Sequence, residues 1–296
     1  MGALTEKEIM ALVKLLDDPD EQIYQQVSQK LINQGYEVIP KLEKAWEQSF
    51  NEKIQTRLEY LIQEIQLNSA KRNLGHWAAE GGTNLFEGAF LVAKHQYPEL
   101  SYEYYDQKME EIKRDIWLEL NENLTALEKV RIINHIFFKI YGFSSNAANF
   151  YAPQNNYINH VLETKKGNPI TLSIIYSSLA QRLEIPIYGV NLPKNFIVAY
   201  RNEYTLREEP QNQILFYVNP FNKGAILGKK EIDYFIKQQS LKPRKEYYLP
   251  CSNVETMQRL INNLIYAYDR LGYPDKINEL NQLYRILLDN SNLEES

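Results

Sequence analysis

The chain has one cysteine, Cys251, and four histidines among its 296 residues. One cysteine excludes an intrachain disulfide and a Cys-x-x-Cys metal site. The histidines are His76, His95, His135 and His160, and no two of them lie four apart on a common helix. There is no His-Glu-x-x-His run. A zinc site needs three or four convergent ligands, so no metal is expected. Neither GxxxxGK[ST] nor GxGxxG occurs, so no phosphate-cradling loop and no nucleotide cofactor is expected. No apolar run reaches the ~18 residues of a membrane span. Positive charge is the minority sign, with 33 Lys and Arg against 38 Asp and Glu and a net charge of −5. Without a polybasic tract, nucleic acid is not an expected partner. The opening "MGALTEKEIM" lacks the basic-then-apolar order of a signal peptide. Its Thr5 stands one place too early for myristoylation of Gly2. The expectation is a cytoplasmic protein that does not engage membranes.

What is present is an ordinary apolar core, at 44% hydrophobic residues, arranged mostly in helical periods. Ile23, Val27 and Leu31 fall on one helical face, Val38, Ile39, Leu42 and Trp46 on the next, and Ile54, Leu58, Leu61 and Ile65 on a third. The stretch 15–46 resembles one HEAT-type unit, with its period of about 40 residues. A plain helical hairpin fits it equally well. Leu85, Ala89, Val92 and Ala93 form a further stripe, as do Ile112, Ile116 and Leu120, and then Val130, Ile133, Phe137 and Ile140. "FYAPQNNY" (150–157) reads as a turn-rich connector. Residues 169–184 fit a helix with Pro at its first turn, where a missing N–H costs nothing, and with Leu172, Ile175, Leu179 and Leu183 facing inward. Three β-branched and aromatic runs follow, Ile185–Val190, Phe196–Tyr200 and Ile214–Val218. Helix is expected again from 229 onward. Residues 255–288 read as two helices joined at "LGYPDK", a tetratricopeptide-like pair.

A buried helix followed by strands is the layout of a papain-like core. Its chemistry needs a thiolate at the helix N-terminus, a His on one strand and an Asp or Asn on the next. The motifs "YPEL" (97–100), "YGF" (141–143), "GNPITLSIIY" (167–176), "RLEIP" (182–186), "GVNLP" (189–193) and "NPFNKG" (219–224) make the resemblance specific. Residues 73–288 resemble the bacterial transglutaminase-like family of the SirB invasion-regulator type. That resemblance implies an α+β, predominantly helical fold: a papain/transglutaminase-like core with a small antiparallel sheet, flanked by helical hairpins. It divides the chain into a HEAT-like segment (1–68), a transglutaminase-like domain with a helical lead-in (69–250) and a tetratricopeptide-like pair (251–296).

The same resemblance implies where catalysts would stand. The family's nucleophilic Cys, counted back from a turn proline that resembles Pro186, corresponds to Pro169, with Thr171 the nearest hydroxyl. The His position corresponds to Asn195 in "LPKNFIVAY", and the Asp of an Asp-Pro pair to Asn219 before Pro220. Proline offers no nucleophile, and asparagine accepts no proton near neutral pH. A hydroxyl at Thr171 without a base suits helix capping or local hydrogen bonding.

Outside the triad positions, Cys251 precedes a helix in "YLPCSNVE". A helix N-terminus lowers a thiol pKa, whereas burial makes it an inert packing residue. Ser252 or Asn253 is the better N-cap there. Two readings stand: a non-catalytic protein that binds a protein or peptide partner, and an amide-bond enzyme (transglutaminase, deamidase or protease) with its nucleophile moved to Cys251. The 22 tyrosines, dense in "SYEYYDQKMEEIKRD", fit either an amphipathic helix or a binding groove. The run "LGKKEIDYFIKQQSLKPRKE" reads as a surface helix and loop.

Overall fold

A computed structural model describes residues 4–202 and 213–294. The chain divides into two compact units, Met1–Asn73 and Leu74–Ser296. Among the described residues, no helix is long and apolar enough to cross a membrane.

The first unit is built from α1 (Glu6–Leu15), α2 (Glu21–Ile32), α3 (Ile39–Gln48) and the start of α4 (Glu52–Ala79). Thr5 opens α1 with a capping box: its hydroxyl accepts the Glu8 N–H, and the Glu8 carboxylate accepts the Thr5 N–H. Asp20 caps α2. Such caps satisfy amides that have no partner inside the helix. Leu16, Leu31, Leu42, Leu58 and Leu61 are fully buried and form one cluster with Val27, Val38 and Ile65. Three helical stripes of the sequence thus meet at one core. Trp46, expected on the second stripe, is instead exposed and donates its indole N–H to Glu59.

The second unit contains α5 (Leu85–Gln96), α6 (Tyr102–Glu119), α7 (Ala126–Asn134), α8 (Ile158–Thr164), α9 (Pro169–Arg182), α10 (Lys229–Gln238), α11 (Asn253–Leu271) and α12 (Pro274–Glu294). A short parallel bridge joins β1 (Ser144–Ser145) to β2 (Lys166–Gly167). The main sheet has β3 (Ile187–Val190), β4 (Ile197–Arg201), β5 (Ile214–Asn219) and β6 (Ala225–Leu227), antiparallel throughout and in that order. Val198 lies opposite Val218, and Tyr217 opposite Leu227.

α9 is the axis of this unit. Every residue from Pro169 to Ala180 is buried, because α9 packs on β3 and β4, on α5 and on α11 at once. A helix buried on all sides needs apolar or small residues all round, and "PITLSIIYSSLA" supplies them. The sequence expectation of a single inward stripe is therefore too narrow. Leu172, Ile175 and Leu179 are fully buried, but so are Ile170 and Ile174 on the opposite face.

Four local expectations are corrected. Ile140, expected to be in a buried stripe, is 60% exposed. The chain after α7 forms a π-helical turn, His135–Ile140, whose wider turn rotates later residues off the 3.6-residue stripe. Residues 158–164 form a helix that the reading of a connector did not extend to. The helical stretch expected from 229 onward breaks after Gln238: Ser240 takes a left-handed backbone, and irregular chain with one 3-10 turn, Lys245–Tyr247, leads to Asn253. β6 was not anticipated; at three residues it is too short to show a period.

Candidate functional site

The N-terminus of α9 is built from uncharged amides. Asn168 is the N-cap, and its Oδ1 accepts the Thr171 N–H at 3.0 Å. Its Nδ2 donates to Asn156 Oδ1 at 2.7 Å. The Thr171 hydroxyl lies 2.7 Å from the Asn155 carbonyl and 2.9 Å from Asn168 Oδ1, and it accepts the Asn168 N–H. Asn155 is held in turn by Asn146, whose Nδ2 donates to Asn155 Oδ1 at 2.8 Å. Asn155, Asn156, Asn168 and Thr171 are all buried. Thr171 thus has its hydroxyl committed to the fold.

In front of this wall lies a cleft of about 600 Å³. The start of α9 supplies Asn168, Pro169 and Ile170; the β3–β4 turn supplies Lys194, Asn195 and Phe196. The chain before α8 adds Phe150, Tyr151 and Asn156. The fourth wall is one face of α11: Arg259, Asn262, Asn263, Tyr266 and Ala267, at the spacing of successive helical turns. Among the described residues, no Cys, His, Asp or Glu lines this cleft.

Pro169 and Asn195 therefore meet at one cleft, from a helix start and a strand lead-in. Asn195 Oδ1 accepts the N–H of Phe196 at 2.9 Å. Asn219 is not among the lining residues. It caps the following 3-10 turn, Pro220–Asn222, accepting the Asn222 N–H at 3.2 Å.

Cys251 also lies off the cleft lining. Its backbone N–H donates to the Gly189 carbonyl at 2.9 Å, which fixes it beside β3. Its thiol donates to the same oxygen at 3.3 Å and sits 3.4 Å from the Thr256 hydroxyl. Burial pushes this thiol up to about 11, so the thiolate is scarce at neutral pH. Ser252, not Cys251, caps α11, in a capping box with Glu255.

The histidines are dispersed. His76 is exposed beside Glu80 at 3.3 Å. His95 is buried against Glu279 at 3.2 Å. Burial would raise the Glu279 carboxyl, but hydrogen bonds from His95 and Lys276 outweigh it and hold that carboxyl below the ordinary range. Among the described residues, no cluster of three His, Cys, Asp or Glu is placed to hold a metal.

The α11 wall is what sequence reasoning missed. Periodicity there draws attention to the apolar stripe of Leu260, Leu264, Tyr268 and Leu271. The complementary stripe of Arg259, Asn262, Asn263 and Tyr266 is legible at the same spacing, but polar residues on a helix ordinarily mean a solvated face.

Residues 103–262, just over half of the chain, match the model of the transglutaminase-like superfamily. A UPF0162 protein of Xylella fastidiosa is 32% identical over 148 residues, half of each chain. A UPF0162 protein of Pseudomonas aeruginosa is 25% identical over 192 residues, 64% of this chain and 67% of its own. F-box only protein 21 of Mus musculus is 29% identical over 160 residues, 53% of this chain and 24% of that protein. The chain thus spans about half the length of the Xylella relative and about a quarter of the F-box protein. No solved structure matches the chain. The family match includes the helix start, the sheet and the first two residues of the α11 wall, Arg259 and Asn262, and the chain belongs to the transglutaminase-like superfamily.

Proposed function

We propose that this chain is a non-catalytic transglutaminase-like protein whose cleft at the start of α9 receives a segment of a protein or peptide partner. One observation carries the reading: Pro169 and Asn195 face the cleft where a nucleophile and a base would act, and no described cysteine, histidine or carboxylate lines it. Without a thiolate the covalent route is closed, and without a base the ~10²–10⁴-fold contribution of proton transfer is forgone. Three exposed or half-exposed aromatics at the rim, Phe150, Tyr151 and Tyr266, suit contact with a partner. Narrower expectations belong to the same proposal: the SirB type, a HEAT-like first unit, a tetratricopeptide-like α11–α12 pair and a cytoplasmic setting.

The test is incorporation of a labelled primary amine into a glutamine-bearing protein by the unmodified chain. The expected result is no turnover above the protein-free rate. Turnover that disappears in Cys251→Ala would overturn the reading in favour of a relocated nucleophile.

A further inference from the structure

We infer that the cleft selects a peptide segment that carries a carboxylate. The inference rests on the peptide-binding reading above and states what that peptide must present.

The argument starts from Arg259. It is only partly exposed, its Nε is buried without a hydrogen-bond partner, and it has no ion-pair partner among the described residues. The second unit gives its other partly exposed arginines partners: Arg201 donates to Gln213 Oε1 at 2.7 and 3.0 Å. Arg182 reaches Asp106 at 2.5 Å and Glu110 at 2.9 Å. A guanidinium does not shed its proton when buried, so Arg259 keeps a charge and a donor that the fold leaves uncompensated. Burial pulls its pKa below the ordinary arginine value, a direct sign of lost solvation without a partner.

The surroundings repeat the sign. Lys194 lines the same cleft, and Arg270 stacks over the rim ring of Tyr151, 4.1 Å from its centroid. No described Asp or Glu is present, although acids outnumber bases in the chain, 38 to 33. A cationic cleft in an acidic protein is complementary to an anion. A planar guanidinium matches the two oxygens of a carboxylate. Phosphate recognition ordinarily gathers a cluster of arginines, and only one arginine lines this cleft.

The remaining walls suit a peptide. The side chains of Asn262 and Asn263 and the Nδ2 of Asn195 make no hydrogen bond among the described residues, and such amides pair with both N–H and C=O of an extended backbone. Tyr151 and Tyr266 stand with centroids 5.9 Å apart and rings tilted by 59°, an aromatic corner for a neighbouring side chain.

The test uses the full chain, immobilised, and short fluorescein-labelled peptides of random sequence in matched pools. One pool has a fixed central Glu and an amidated C-terminus. A second has Gln there and a free C-terminal carboxylate. A third has Gln and an amidated end, and a fourth phosphoserine and an amidated end. The expected result is about tenfold greater retention of the first or second pool over the third, the scale of one charged hydrogen-bonded contact. Which of the two is retained separates a side-chain from a chain-end carboxylate. Arg259→Met should bring retention down to the level of the third pool. Lys194→Asn, which suits the left-handed backbone at that position, should weaken it about two- to threefold. The acid preference of the unmodified chain should also fall as salt is raised, a readout that needs no variant. Equal retention of the neutral pool overturns the carboxylate inference and leaves peptide binding standing. Preferred retention of the phosphoserine pool overturns it in favour of phosphate. A salt-independent acid preference overturns it too, as does one that survives in a natively folded Arg259→Met. If no pool is retained, both this inference and the peptide-binding reading fall.

Discussion

Cys251 decides more than its single occurrence suggests. Its thiol is enclosed between the Gly189 carbonyl and the Thr256 hydroxyl, and burial dominates its titration. With a pKa of about 11 the thiolate fraction at neutral pH is on the order of 10⁻⁴. Alkylation by iodoacetamide at pH 7.5 should then run about a hundredfold slower in the folded chain than in urea, read by mass spectrometry. Rapid labelling of the folded protein would restore Cys251 as a nucleophile. The pH dependence has a definite sign. A thiol whose folded pKa lies above its unfolded value stabilises the fold fully below the unfolded value. That contribution is lost as pH rises from about 9 towards about 11. Urea midpoints across that window should fall more steeply for the unmodified chain than for Cys251→Ala. The presence of a lone cysteine next to a helix start was legible in the sequence. Its direction was not: the Gly189 carbonyl that receives both its N–H and its thiol is 62 residues away.

At the level of elements, α9 shows where local reading succeeds and where it stops. "GNPITLSIIY" announces a helix because Pro fits its first turn and Asn caps it. What the string does not carry is the partner of the cap. Asn168 Nδ2 binds Asn156 in a different turn, and the Thr171 hydroxyl binds the Asn155 carbonyl. Asn168→Ala should therefore cost more than an ordinary exposed cap, which is worth about 1 kcal/mol. It also strands Asn156 Oδ1, and an unsatisfied buried acceptor adds about 1–3 kcal/mol. Chemical denaturation should report a loss of about 2–4 kcal/mol. A loss under about 0.5 kcal/mol would mean that the amide wall does not hold the helix start. The strands were legible for a related reason: β4 and β5 are β-branched and aromatic, and only their ends moved by a residue or so. β1, β2 and β6, at two or three residues each, have too few side chains for alternation to show.

At the scale of the molecule, the main question is whether α11 and α12 form an appendage or part of the core. Their sequence reads as a self-contained pair, because the Leu260 and Leu264 stripe on one helix finds Leu280, Leu283 and Leu287 on the next. In the fold α11 also packs on α5 and α9, and it supplies the fourth wall of the cleft. Met257, Leu260, Ile261 and Leu264 are fully buried. Each such side chain is worth about 1.5–3 kcal/mol when fully buried, so the four together are comparable to the whole stability of a domain, about 5–15 kcal/mol. Asn253 adds a tether: its Nδ2 donates to the Gly82 carbonyl at 2.8 Å and to the Thr83 carbonyl at 3.1 Å, just before α5. A chain ending at residue 250 should then lose the cooperative melting of the second unit. Thermal unfolding followed by near-ultraviolet circular dichroism, where buried tyrosines such as Tyr157 and Tyr176 report packing, should show a broad, weak transition. Tyr157 gives the sharper test, because its hydroxyl pairs with that of Tyr268 on α11 at 3.0 Å. If the truncated chain kept a sharp transition within a few degrees of the intact protein, α11 would be dispensable to the core, and the cleft would have to be rebuilt without its fourth wall.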